Sequence, residues 1–363
     1  MSEIKLETIS SIHIGSGNFL TYNTDFVKQN QGDETYLYVI DDRKVLEVIG
    51  EKNLDNWVLS IERGENTSEF VKRCNPNIRV KDYATRNIQL LDTIHPGETL
   101  KECIHDGMGR AYIPGSSIKG AIRTAVLASN VDQRQHLTSQ IVTLKGNRKI
   151  VSAQKVEEQL FGKMQDDVFR FLQVGDAIFK PNCEVGLRMN MGLNITQRQE
   201  LNSKTDRKPQ VIEAISLEEQ TSFKMKIDER IFQNKHILPC LHNLTDLFLT
   251  VNLHTKKLVE AEIGFWQDYS EDHTGAEEYI KVLTRLLRKI EACKTNQCIL
   301  RIGHGSGWDF ITGAWTKSLN NFETDVVPAA RPKNYHYEEY PFPKSRRLDA
   351  VSDVLGFVKL SFE

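Results

Sequence analysis

Cysteine is scarce in this sequence, and long apolar runs are missing. The six cysteines, Cys74, Cys103, Cys183, Cys240, Cys293 and Cys298, include no CxxC and none of the spacing of a small disulfide-stapled domain. Cys240-x-His242 and Cys293-x4-Cys298 lack the paired spacings of a zinc site, so no metal is expected. No stretch approaches ~18 uninterrupted apolar residues, which excludes a membrane-spanning helix. The opening MSEIKLETIS has no apolar run after its first charge. That predicts no secretory signal and a cytoplasmic protein with reduced thiols. Excess charge of one sign is also lacking: 47 Lys+Arg face 49 Asp+Glu, a net of −2. This argues against a strongly basic, autonomous nucleic-acid binder. HExxH, a clustered Asp/Glu site and a Ser-His-Asp signature are absent, so no catalytic set and no cofactor are expected.

What is present is enough for a core. Hydrophobic residues make up 39% of the 363 residues, which excludes wholesale disorder, and the length suits about two domains. Charge is uneven along the chain. Residues 1–110 carry 13 Lys+Arg against 18 Asp+Glu, a net of −5; residues 111–235 carry 19 against 14, a net of +5. A nearly neutral chain can still hold a polyanion if its cations gather on one face.

Thr8 to Ile14 reads as a strand ending in Gly15-Ser16-Gly17, and Tyr36 to Ile40 as another. Residues 18–105 otherwise read as irregular or inserted structure. A strand-turn-helix follows, Ala111-Tyr-Ile-Pro-Gly-Ser-Ser-Ile-Lys-Gly-Ala-Ile-Arg123, with Ser116 or Ser117 placed to cap the helix. A second helix spans about 153–164. Alternation predicts strands through Val185–Met191, Phe223–Ile227, Leu247–Leu253 and Val358–Phe362. Between the first two lies a polar loop, Thr196–Gln210, with Arg198, Lys204, Arg207 and Lys208. Thr274-Gly-Ala-Glu277 opens an amphipathic helix through Ile290. Ile299 to Ile302 leads into Gly303-His-Gly-Ser-Gly307. Strands and helices mix without a regular βαβα rhythm, so the expected class is α+β with antiparallel sheets.

Two segments carry chemistry. A helix N-terminus with Ser116, Ser117, Lys119 and Arg123 on the first turns suits a phosphate; the plain alternative is a capped surface helix with two solvated cations. Gly115-x4-Gly120 is not a Walker A loop, because Ala121-Ile122 stands where Lys-Ser/Thr is required. Gly303, Gly305 and Gly307 let a ligand backbone approach the main chain, or they form a tight structural turn. His13 and His304 flank glycine segments. They suit acid-base cleavage of RNA through the 2′-hydroxyl, or simple packing. The segment 326–347 mixes Arg331, Lys333, Lys344, Arg346 and Arg347 with Tyr335, Tyr337, Tyr340 and Phe342. It is either a base-stacking surface or a Pro-rich strap over the core.

Taken in order, Ile12-His-Ile-Gly-Ser-Gly17, Tyr112 to Thr124, Phe171-Leu-Gln-Val-Gly-Asp-Ala177, Arg301-Ile-Gly-His-Gly-Ser-Gly-Trp308 and Gly356-Phe-Val-Lys-Leu360 resemble the RAMP superfamily of CRISPR-associated proteins. Within it they are most similar to the fifth-subunit family of type III-A (Csm) effector complexes. The resemblance implies two ferredoxin-like modules, here residues 1–215, with an insertion at about 18–105, and residues 216–363 with the glycine-rich loop 303–307. It implies a non-catalytic subunit that binds the CRISPR guide RNA and caps the stack of repeated RAMP backbone subunits at the 3′-end side of the guide. Target RNA would be met indirectly, and host processing nucleases are further partners. Antiviral defence and guide maturation are the implied roles. The expected RNA contacts are Gly15, Ser16, Gly17, Ser116, Ser117, Lys119, Arg123, Gly303, His304, Gly305, Ser306 and Gly307. The family's backbone subunit has a catalytic aspartate, for which no equivalent is placed here. Two other readings stay open: a metal-independent ribonuclease acting on precursor RNA through His13 or His304, and a protein adaptor without RNA contacts.

Overall fold

The structure is a computed structural model. It describes all residues except 92, 132–140, 146–147, 182, 184, 196–200, 203–209, 269–273, 312, 331–341, 344 and 350–352. Two sheets organise it. In the five-stranded sheet the order is Leu172–Val174, Gln220–Ile227, Ser2–Thr8, Phe357–Ser361, Gln297–Arg301, and every neighbouring pair is antiparallel. Alternation places one face of it inside. Ile4, Leu6, Phe223, Met225, Val358 and Leu360 are buried, while Lys5 and Lys224 point out. The helices Gly115–Val131 and Leu244–Gln267 cover that face through Ile118, Ile122, Val126, Leu247, Phe248 and Val251.

The second sheet runs Gly15–Thr21, Thr99–Cys103, Gln210–Ile215, Val185–Ile195, Ala84–Gln89, Glu34–Ile40, Phe26–Gln31. It is mixed rather than antiparallel throughout: Val185–Ile195 joins Ala84–Gln89 in parallel, and Gln210–Ile215 joins Thr99–Cys103 in parallel. The class is α+β, as the sequence predicts. We keep the division at residue 215 as a proposal; the five-stranded sheet draws strands from both sides of it.

Three expectations need correction. Residues 18–105 are regular, not irregular: their strands belong to the second sheet, and the helices Asp42–Ile49, Leu54–Glu62 and Thr67–Cys74 pack against it through Val45, Trp57 and Val71. Thr8 to Ile14 is not one strand. The chain leaves the first sheet at Thr8, bridges Ile12 to Ile215, and enters the second sheet at Gly15. Leu247–Leu253 is helix, not strand. Asn243 caps it by accepting the Asp246 N–H, and the buried set Leu247, Val251, Thr255, Val259, Glu262, Trp266 recurs every three to four residues. Leu249 and Leu253, which completed the apparent alternation, are exposed. The helices Gln154–Phe161 and Thr274–Glu291 fall where periodicity predicts. The basic loop residues Arg198, Lys204, Arg207 and Lys208 lie outside the described residues.

The strap reading of 326–347 holds for part of its described residues. Arg346, on the strand Ser345–Leu348, is 5% exposed and pairs with Glu262, 3% exposed, under the long helix. Arg346 Nη2 donates to Glu262 Oε2 at 2.8 Å, and the same carboxylate accepts from Trp266 Nε1 and Tyr279 Oη. Burial pushes the Glu262 carboxyl up, but the Arg346 charge together with the hydrogen bonds from Arg346, Trp266 and Tyr279 holds the group below the usual carboxylate range. A buried pair of this kind is costly to break because it strands one charge. Arg346→Ala is expected to destabilise the fold by ~3–5 kcal/mol, measured by urea unfolding. Adding Glu262→Gln should recover part of that loss; no recovery would mean that packing, not the stranded charge, sets the cost.

Candidate nucleic-acid interface

The segment that crosses between the sheets, residues 9–15, is the floor of the site. His13 is fully buried, and its Nδ1–H donates to the Glu213 carbonyl at 2.6 Å, which leaves Nε2 buried without a hydrogen-bond partner. The glycine-rich loop lies on this floor. The His304 N–H donates to the His13 carbonyl at 2.9 Å, and the two imidazoles meet edge to face at 5.5 Å. Gly303 has φ +83°, and a Cβ there would stand 2.6 Å from the His13 oxygen. Only glycine permits that approach. Gly305 and Gly307 are also left-handed, so the loop has the backbone its composition predicts.

A buried cation holds the loop from below. Arg301 lies against the rings of Phe310 and Phe357, 4.4 and 4.8 Å from their centroids. Its Nε donates to the Leu355 carbonyl at 2.9 Å and its Nη2 to the Gly305 carbonyl at 3.3 Å. On the other side Ser16 donates to Glu102 at 2.8 Å, and Asn18 Nδ2 donates to the same carboxylate at 3.0 Å. Glu102 in turn meets Arg86 at 3.0 Å, and Arg86 pairs with the fully buried Glu213 at 3.0 Å. The glycine strand and the glycine loop thus share one rigid base.

Two cations border this base that sequence reasoning did not single out for it. Lys101 lies across the ladder from Phe19, and its charge lowers the pKa of both His13 and His304. Arg347 is exposed, its Cβ approaches the Gly305 position, and its charge also bears on His304. Arg346 and Arg347 are adjacent, and strand alternation sends one inward and the other out. Burial is the main cause of the His304 shift, with Lys101, His13 and Arg347 adding to it, and together they push its pKa down to about 4. His13 is lowered mainly by burial, against its hydrogen bond to Glu213.

The strand-turn-helix group is held by different partners. Its helix begins at Gly115, so Ser116 and Ser117 are inside it and do not cap it. Asp176 caps it instead, accepting the Gly115 N–H at 2.7 Å. A Cβ at Gly115 would meet the Val174 carbonyl at 2.3 Å, which explains the glycine. A carboxylate on this helix end already balances its partial positive charge. Arg123 is committed inside the protein: Nη1 meets both Asp167 oxygens at 3.0 and 2.9 Å, Nη2 meets Glu157 at 3.3 Å, and the guanidinium lies 4.2 Å from the Phe161 centroid. Lys119 is half-buried, and burial lowers its pKa despite the attraction of Asp167. Ser116 is exposed. Among the described residues no group of three or more His, Cys, Asp or Glu is placed to hold a metal ion, and no helix is long and apolar enough to cross a membrane.

The RAMP superfamily model matches residues 5–310, and the chain belongs to that superfamily. The CRISPR system protein Csm5 of Methanocaldococcus jannaschii is 26% identical over 184 residues, which are 48% of this chain and 42% of that protein. The match therefore spans less than half of that relative's length. Among solved structures, a chain in the cryo-EM structure of a type III-A Csm–crRNA–target RNA ternary complex matches with a TM-score of 0.67 at 20% identity, covering 100% of both chains. The crystal structure of T. onnurineus Csm5 matches with a TM-score of 0.64 at 18% identity, covering 98% of this chain and 99% of that one.

The depressed imidazoles make a pH prediction. Between pH 6.5, the ordinary histidine value, and about 4, the unfolded chain binds a proton at His304 and the folded chain does not. The stability that His304 contributes is therefore fully present above that window and lost as pH falls through it. Melting temperature should drop across this range, and His304→Gln should drop less than the wild type. Equal slopes for the two would show that the loop does not hold His304 neutral.

Proposed function

We propose that this chain is a Csm5-like, non-catalytic RNA-binding subunit of a type III-A CRISPR effector complex. It holds the guide RNA and caps the stack of repeated RAMP backbone subunits at the 3′-end side of the guide. The observation that carries this reading is the shallow cradle of Gly15-Ser16-Gly17 and Gly303–Gly307, set on the His13 backbone and bordered by Lys101 and Arg347. A glycine backbone admits a sugar-phosphate chain closely, and two bordering cations neutralise it. The superfamily match and the likeness to Csm5 support the same reading. Modest net charge fits a subunit that protein contacts also retain. Ser306 and His304 complete the loop surface. Lys119, Ser116 and Ser117 contribute at a second position, with Arg123 fixing the helix that carries them. Target RNA is met indirectly, through the paired guide, and processing nucleases act on the guide end that this subunit leaves.

The ribonuclease reading gains one observation, since His13 and His304 do converge. The chemistry nevertheless opposes it. Cleavage through the 2′-hydroxyl needs a base and a protonated acid that reach one phosphate. His13 is fully buried, and both imidazoles are held neutral at pH 7.

Lys101→Ala with Arg347→Ala should weaken guide retention in the assembled complex and reduce the slope of log affinity against log salt by about two. Unchanged RNA content and slope would refute the cradle. The purified chain should leave precursor RNA intact in EDTA; cleavage abolished by His304→Ala would establish the nuclease instead.

A further inference from the structure

Phe19 presents a large aromatic ring to solvent. It sits on Gly15–Thr21, the margin of the second sheet, where residues 15–19 are all exposed. Phe19 itself is 54% exposed. A large ring left in water forgoes the stabilisation that burial gives. Its strand and its ladder partner do not surround it with apolar side chains. Its strand neighbours are Gly15, Ser16, Gly17, Asn18 and Thr21, with Leu20 half-buried, and directly across the ladder stands Lys101. A docking surface for another protein is built from contiguous apolar area. A single ring among polar groups and beside a cation has the composition of a stacking platform for unpaired bases.

The surroundings place that platform on the RNA path. Lys101 Nζ lies 6.0 Å from the Phe19 ring centroid, and the same ammonium bears on His304 in the glycine loop. One cation thus joins the ring to the cradle. The strand is also fixed in advance: Ser16 and Asn18 both hydrogen-bond Glu102, the neighbour of Lys101, and Glu102 is tied to Arg86. A ring on a preset strand loses little further freedom when a ligand stacks on it.

We infer that Phe19 is a base-stacking subsite, with an unpaired RNA nucleobase as its ligand. The inference rests on the cradle reading above. Recognition is by the π-face, so it tolerates sequence and favours the larger purines.

The test compares full-length chain binding to oligoadenylate and to an abasic ribose-phosphate polymer of equal length, by fluorescence anisotropy. Phe19→Ala should weaken oligoadenylate binding by about tenfold and leave the abasic polymer unchanged. Phe19→Trp should bind both polymers at least as well as the wild type. Equal affinities of Phe19→Ala and wild type for oligoadenylate would overturn the inference. So would loss of neighbouring subunits from the purified complex without loss of RNA affinity, which would assign the ring to a protein contact. Lys101→Ala with Arg347→Ala separates the two levels. If that pair weakens both polymers while Phe19→Ala weakens neither, the cradle stands and the stacking subsite falls. If the pair weakens neither, the cradle itself falls, and the subsite with it.

Discussion

The contact on which the rest depends is a backbone one: the His304 amide on the His13 carbonyl, made possible by a glycine at 303. It joins the segment that crosses between the two sheets to the loop that follows the last-but-one strand of the first. A side chain at 303 would stand in the way. Because the contact is between main chains, it fixes the distance between two glycine-rich surfaces without using any of the side chains those surfaces can offer a ligand. Burial holds both imidazoles toward the neutral form, and the cation beneath the loop, Arg301, is met by the Leu355 and Gly305 carbonyls.

Charge in this protein is sorted by depth. Glu213 with Arg86, and Glu262 with Arg346, are buried pairs with their remaining oxygens hydrogen-bonded. Arg301 is held by the Leu355 and Gly305 carbonyls and by two aromatic faces. These groups shape the site and are hidden from it. Lys101 and Arg347 lie further out, half-buried and exposed. A chain with net charge −2 can present a local cationic border in this way.

Several features were legible from the residues. The strands 223–227 and 358–361 and the helices at 115 and 274 follow from period and composition. The three glycines of the late loop permit backbone conformations closed to other residues, and all three adopt a positive φ. Other features were not. Leu247–Leu253 alternates and yet is helix, since leucine has good helix propensity and the cap at Asn243 and the sheet beneath decide the matter. Lys119 and Arg123 share a helix face, but spacing cannot say that Asp167 and Glu157 wait opposite Arg123. Lys101 gave no local signal, because a lone cation in a strand reads as a solvated one; Arg347 stood out within the basic-aromatic segment 326–347, but composition could not say which of Arg346 and Arg347 faces outward.

By itself the sequence determined the class of fold, the superfamily and the conformation of the glycine loop. Those depend on local backbone preference and on periodicity, which neighbouring residues carry. Only the tertiary structure decided which cations face outward, which histidines stay neutral and which two glycine segments meet. Those outcomes depend on burial and on contacts between residues far apart in the chain. A hydrogen bond from residue 304 to residue 13 leaves no trace in either neighbourhood read alone.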